Sequence, residues 1–258
     1  MRLAHRVFLA VFVFILGIVL PGYAPPGIAG ALQQADPARQ KAQTMLSKLT
    51  PEEKVGQLFL VTFTGTTFDE TSQIYELITR RHVGGVVLLR SNDNFGWQGD
   101  IVNQTYQLTS LLQQTKWDAA QKSVTNANGI SYSPQYIPLW VGMSQEGNSF
   151  PYDQILEELT TLPSLMSIGA TWNPDLAEAV GSVMGKEMAS LGVNLYLGPS
   201  LDVLENVPSM DDGDDLGSRA FGGSPFWVGK MGQSYIAGLH QGSGNRMVVI
   251  AKHFPGRG

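Results

Sequence analysis

From Val55 onward the chain alternates between two hydrophobic periods. Short apolar runs lie at 55–63, 84–89, 138–143, 193–197 and 248–250, and several are rich in β-branched residues. Between them apolar residues recur every three or four positions. The runs predict buried strands and the intervening stretches predict amphipathic helices. Ile74, Leu77 and Ile78 mark one helix face over 72–81, and another helix is predicted over about 100–116. Leu176, Val180, Val183, Met184, Met188 and Leu191 trace the clearest helix, and Val228, Met231, Tyr235 and Leu239 the last.

The helix ends are written in the sequence as well. Asp36-Pro37, Asn173-Pro174-Asp175 and Ser224-Pro225 each place a capping residue before a proline that a helix accepts in its first turn. Thr50-Pro51-Glu52-Glu53 adds the reciprocal glutamate of a capping box. Gly192 and Gly242 close the two long helices. The stretch 118–136 is rich in Asn, Ser, Gln and Gly and has no period. It is predicted to be an insertion or long loop on the same rim as the ligand-facing loops.

Strand followed by helix, repeated, means parallel strands joined by right-handed crossovers. A dinucleotide-binding fold would need Gly-x-Gly-x-x-Gly after the first strand, where the chain has Thr64-Gly65-Thr66-Thr67-Phe68-Asp69. Gly242-Ser243-Gly244 precedes a strand rather than following one. The predicted fold class is therefore α/β of the (β/α)8 TIM-barrel type. It is incomplete, with about five of the eight βα units present.

Composition narrows the chemistry. The 258 residues are 43% hydrophobic and 15% charged, as in a folded globular chain. A net charge of −5 excludes a nucleic-acid role that depends on a basic surplus. With no cysteine, disulfides, thiolate metal sites, a cysteine nucleophile and a lipidated cysteine are all excluded. No metal is implied. Asp211-Asp212-Gly213-Asp214-Asp215 lacks the spacing of a calcium loop, and His82 and His240 form no ligand pair. No organic cofactor is called for either.

The first residues read as a targeting segment. Arg2, His5 and Arg6 precede an apolar run from Val7 to Leu20, then Pro21, Gly22 and small residues. A run of about fourteen residues matches a signal-peptide core better than a span of roughly twenty. Residues 1–31 are thus read as a signal peptide or N-terminal anchor, 32–45 as a linker with a leading helix, and 46–258 as the barrel domain. The protein is expected to be exported, and to meet a membrane only if Val7 to Leu20 stays uncleaved.

The densest chemistry lies in Val248 to Gly258, VVIAKHFPGRG. A β-branched strand ends in a cation, an imidazole and an aromatic ring, and then Pro255, Gly256 and Gly258 force a turn. In parallel α/β folds ligands bind at the C-terminal ends of strands. Lys252 and His253 are therefore site candidates by position as well as by type.

Six stretches in order resemble the N-terminal barrel domain of glycoside hydrolase family 3, the β-glucosidase and β-N-acetylhexosaminidase family. They are Leu49 to Leu58 (LTPEEKVGQL); Gly84 to Leu88 (GGVVL); Thr161-Leu162-Pro163-Ser164 with Gly169-Ala170-Thr171; Leu191 to Asn194 through Pro199 to Val203; Ser218 to Gly222 (SRAFG); and Lys252 to Gly256 (KHFPG). The resemblance implies a retaining mechanism on a β-linked saccharide, in which an aspartate attacks the anomeric carbon and a second group protonates the leaving oxygen. It also implies that Arg219, Lys252 and His253 hydrogen-bond sugar hydroxyls, with Asp202, Glu146 and Ser144 on the same rim. The nucleophile and the acid/base group are expected beyond Gly258.

The chain departs from the family pattern at three places. Ser144 opens Ser144-Gln145-Glu146-Gly147-Asn148 where the family has an aspartate that contacts the sugar. Tyr152 stands where the hexosaminidase branch carries an arginine, and Arg257 where it carries a histidine. These departures support an alternative, a catalytically degenerate carbohydrate-binding protein on the same barrel.

Overall fold

The computed structural model describes residues 36–96, 99–125, 129–147, 153–204 and 216–256. The leader, Tyr152, Arg257 and the acidic run 211–215 lie outside them. The chain divides into two compact units, Met1–Lys48 and Leu49–Gly258, so the main unit begins three residues after the predicted boundary at 46. In the first unit the described element is helix α1 (Pro37–Lys48), whose start is capped by the Asp36 carboxylate accepting from Ala38 N at 3.0 Å.

The second unit opens with α2 (Pro51–Gly56). The predicted capping box is present: Thr50 accepts from Glu53 N, and Glu53 accepts from Thr50 N. Then follow β1 (Leu60–Val61), α3 (Gln73–Thr79), β2 (Gly85–Val87), α4 (Ile101–Ala120), β3 (Val124–Thr125), β4 (Ser131–Tyr132), β5 (Trp140–Met143), α5 (Leu165–Gly169), α6 (Pro174–Ser190), β6 (Leu195–Ser200), α7 (Pro225–Gly242) and β7 (Val248–Lys252). Five strands form one parallel sheet in the order β1-β2-β5-β6-β7. This is the mixed α/β architecture expected, and among the described residues the sheet does not close: β1 and β7 are its edges.

Those edges correct two sequence expectations. The predicted first strand over 55–63 shrinks to two residues, because the capping box starts a helix that continues through Val55 and Gly56. Leu58, just past that helix, is 82% exposed. The last strand, predicted to be buried, pairs only with β6, and Val248 and Ile250 are each 42% exposed.

The polar stretch after α4 is also corrected. It contains an antiparallel hairpin, β3 with β4, on the connection from helix to strand. It therefore sits at the N-terminal end of the sheet, opposite the predicted rim. Two hydrogen bonds hold it there: Tyr132 Oη to His82 Nε2 at 3.2 Å, and Gln135 N to Glu53 Oε1 at 2.8 Å.

The packing of α6 on α7 shows what hydrophobic periodicity missed. Leu176 and Val183 are exposed, and the buried stripe of α6 runs through Ala177, Gly181, Met184, Gly185 and Met188. A Cβ on Gly181 would lie 2.2 Å from Tyr235 O, one on Gly185 2.3 Å from Leu239 O, and one on Gly242 1.9 Å from Ser182 O. The helices touch backbone to backbone at these points, and no larger residue fits without separating them. Gly229, also within α7, has nothing within 4 Å of its would-be Cβ.

The glycine seam generates the first prediction. Gly185→Ala should destabilise the fold by roughly 1–3 kcal/mol through overpacking, whereas Gly229→Ala should stabilise it by roughly 0.5–1 kcal/mol. Urea midpoints measure both, and equal effects at the two sites would contradict the close-packed seam. The second prediction concerns Lys116, buried in α4 with its ammonium 3.4 Å from Val83 O. Burial pushes its pKa down from 10.5 to about 8, partly opposed by Glu53. Between those values the unfolded chain binds more protons, so this group makes stability rise with pH and lowers it at neutral pH by on the order of 3 kcal/mol. Lys116→Met should therefore be stabilised most at pH 7, and its advantage over wild type should vanish towards pH 10.5 in parallel urea melts.

Candidate functional site

The site gathers where β5, β6 and β7 end. Each of these strands leads into a loop at the same edge of the sheet, because the strands are parallel and in register: Val141 lies beside Val86, Leu195 beside Gly142, and Ser200 beside Lys252. A register shift in the β6–β7 ladder falls between Leu197 and Ser200, immediately before the functional residues. Beyond it Leu201 N donates to Lys252 O at 2.6 Å, so the two exits stay side by side.

Two carboxylates form the floor. Asp202, with no exposed side-chain surface, accepts through Oδ2 from Ser200 Oγ at 2.7 Å, from the His253 ring Nδ1 at 2.7 Å and from His253 N at 3.3 Å. A carboxylate facing Nδ1 requires the proton on that nitrogen, so Nε2 is the nitrogen left to a ligand. Glu146, whose side chain is equally buried, lies with Oε1 3.1 Å from Lys252 Nζ and Oε2 3.8 Å from Arg219 Nη1. Neither contact has hydrogen-bond alignment, so its oxygens are paired by charge alone. Gly198 leaves room for this carboxylate: a Cβ there would stand 3.0 Å from Glu146 Oε1.

The basic side chains form the layer above. The side chains of Lys252 and His253 are 23% and 34% exposed, and Arg219 is nearly covered. Ser144, half-buried at the end of β5, makes no hydrogen bond among the described residues. The structure thus brings all six candidates to one rim and divides them by depth. Lys252, His253 and Ser144 present atoms to solvent; Glu146 lies beneath Lys252 and Arg219, and Asp202 beneath His253. Glu146 and Asp202, both expected among the substrate-binding residues of the rim, have no side-chain surface with which to touch a substrate.

Sequence reasoning missed the residues that fix the β5 loop. Asp153 accepts from Glu146 N at 2.7 Å and from Gly147 N at 2.9 Å, which sets the backbone that carries the buried glutamate. Gln145 accepts from Gln154 N and Ile155 N and donates to Ile155 O. Arg90, leaving β2, is tied to Gln154 by its backbone and side chain. Tyr196 donates its hydroxyl to Gln145 O from a fully buried position. Burial, then the neighbouring Tyr235, then the charge of Glu146 push its pKa well above the usual tyrosine value. Hydrophobic period cannot signal such contacts, and nothing in the local sequence marks them. Among the described residues no cluster of His, Asp and Glu has metal-site geometry.

If Glu146 is the counter-ion of two cations, removing its charge takes that counter-charge from a buried guanidinium and a part-buried ammonium. Glu146→Gln should cost about 3 kcal/mol in urea unfolding. In a double-mutant cycle with Lys252→Met the coupling should be at least about 1 kcal/mol. Additive effects would mean that the pair contributes nothing.

The model of the glycosyl hydrolase family 3 N terminal domain matches residues 50–258. The chain is 30% identical over 189 residues to beta-hexosaminidase A of Pseudoalteromonas piscicida, covering 72% of this chain and 27% of that protein. It is 28% identical over 217 residues to a beta-N-acetylglucosaminidase/beta-glucosidase of Cellulomonas fimi, covering 84% and 31%. Among solved structures it is similar to a glycoside hydrolase family 3 beta-N-acetylglucosaminidase from Paenibacillus sp. str. FPU-7, with a TM-score of 0.64, 28% identity and coverage of 81% of this chain and 34% of that one. The beta-N-acetylhexosaminidase from Beutenbergia cavernae gives a TM-score of 0.63 at 25% identity, covering 81% and 55%. The chain spans about a third or less of the length of the first two relatives.

Proposed function

Because the chain belongs to the glycosyl hydrolase family 3 N-terminal domain family across residues 50–258, we propose that it forms the sugar-grasping wall of an exported β-glycosidase. The proposed substrates are β-N-acetylhexosaminides or β-glucosides. The observation that carries this reading is the depth ordering of the rim, with donors in reach of a ligand and their carboxylate partners buried below. Lys252 donates to hydroxyls as a fixed cation, and His253 offers Nε2 as donor or acceptor. Arg219 adds a second positive centre 3.8 Å from the shared glutamate. Holding the donors in place before the sugar arrives spares the ordering entropy that flexible side chains would otherwise cost.

Hydrolysis with retention needs one carboxylate to attack the anomeric carbon and another group to protonate the leaving oxygen. The carboxylates described at this rim, Glu146, Asp153 and Asp202, are buried. On our reading this wall binds and orients the sugar, and the reacting groups are not among these carboxylates. The same observation, together with Ser144 in place of a carboxylate, favours a second reading in which the protein binds carbohydrate without cleaving it. Export rests on the charged start and the apolar run from Val7 to Leu20. Among the described residues no helix is long and apolar enough to cross a membrane.

Titration calorimetry with methyl N-acetyl-β-glucosaminide and methyl β-glucoside tests the reading. Saturable binding is expected, weakened about tenfold or more in Lys252→Ala, the loss of one charge-assisted hydrogen bond. No binding of either glycoside, or binding indifferent to Lys252, would overturn it. Turnover of 4-nitrophenyl N-acetyl-β-glucosaminide by the protein expressed from its entire reading frame distinguishes the enzyme from the binding protein.

A further inference from the structure

Three aromatic rings lie together outside this site. Trp172 and Trp227 meet edge to face at 5.1 Å between centroids, and Phe226 meets Trp227 in the same way at 5.5 Å. Clusters of this kind are normally buried, yet Trp172 is 58% and Phe226 65% exposed. Trp172 just precedes α6, and Phe226 and Trp227 lie in the first turn of α7. Both helices follow strands of the parallel sheet, so their N-termini stand at the end of the fold where the Lys252–His253 rim lies. The segment 216–227 runs continuously from Arg219 in the site to Phe226 on the ridge. Midway, Gly222 O accepts from Leu204 N at 3.1 Å, two residues after Asp202.

We propose that Trp172, Phe226 and Trp227 form an accessory glycan-binding ridge, which holds a neutral β-linked chain extending away from the sugar bound at the Lys252–His253 rim. A β-linked pyranose carries axial C–H bonds on its faces and hydroxyls at its edges. It packs on an exposed ring while its hydroxyls stay hydrated, and rigid aromatics make such contacts at little entropic cost. The surroundings fit this occupant. Thr171, Asn173 and Ser224 flank the rings, and Asp175 and Lys230 balance each other in charge. An anionic bilayer would be drawn by a basic surplus that the ridge lacks. The ridge lies on the rim side of the fold, where a chain longer than one sugar emerges. This inference rests on the sugar-binding reading of that rim.

The test is calorimetry on the whole chain with N-acetylglucosamine and with its β-linked tetramer, for wild type and for Trp172→Ala/Phe226→Ala. Wild type should bind the tetramer roughly three- to tenfold more tightly than the monomer, the scale of one or two aromatic stacks. The double variant should lose that gain. If its thermal transition shows that it does not fold, Phe226→Ser alone makes the same comparison on a residue that already faces water. The proposal is overturned if the gain survives in the variant, if wild type shows no gain, or if wild type binds neither sugar. It is also overturned if, without a tetramer gain, the ridge instead governs adsorption to phosphatidylglycerol vesicles or self-association in sedimentation. Failure of the rim reading appears separately, as loss of monomer binding in a wild type that still binds tetramer through the ridge.

Discussion

A glutamate with no contact with water holds this site together. The Glu146 carboxylate lies between an ammonium and a guanidinium, and neither contact has the alignment of a hydrogen bond. Charge ties the carboxylate to both cations, of which Arg219 is also placed by its Nε donating to Leu216 O at 3.1 Å, and charge acts strongly where the surroundings are dry. The Gly198 backbone lies close over that carboxylate, and the Glu146 side chain has no exposed surface. The strands must bring β5, β6 and β7 to a common end for the arrangement to exist, and the helices behind must press the sheet into place. The glycine seam holds α6 and α7 at backbone distance from each other.

The second carboxylate works differently. Asp202 is hydrogen-bonded from three directions through one oxygen, and its effect on His253 is to choose which ring nitrogen faces outward. One buried acid thus sets the position of a charge and the other sets a tautomer. Both act through a neighbour, and the groups that meet solvent are basic or neutral. A polyol, rich in acceptors and with donors that need only one partner each, suits such a surface.

Much of this was readable in the sequence because local rules decided it. The capping box at Thr50, the proline starts of α6 and α7 and the order of strands and helices are set by neighbours in the chain. The Lys252–His253 pair was visible because it follows a strand and precedes a turn. What stayed hidden depends on the third dimension. The exposure of Val248 and Ile250 follows from having a single neighbouring strand, and the hairpin's place follows from which end of the sheet a helix returns to. The burial of Glu146 could not be inferred, since a glutamate in a loop is ordinarily solvated. Asp153 was missed because its partners are backbone amides six and seven residues earlier, which carry no side-chain signature.

The central claim is that buried carboxylates preset the basic groups that hold a sugar. Long-range proton–nitrogen NMR of the His253 ring, recorded during titration with methyl N-acetyl-β-glucosaminide, tests it most directly. The account predicts that Nδ1 carries a proton before and after sugar is added, while the Nε2 resonance moves in a saturable way. A bare Nδ1 in the free protein, or an Nε2 that does not respond at saturating sugar, would contradict it.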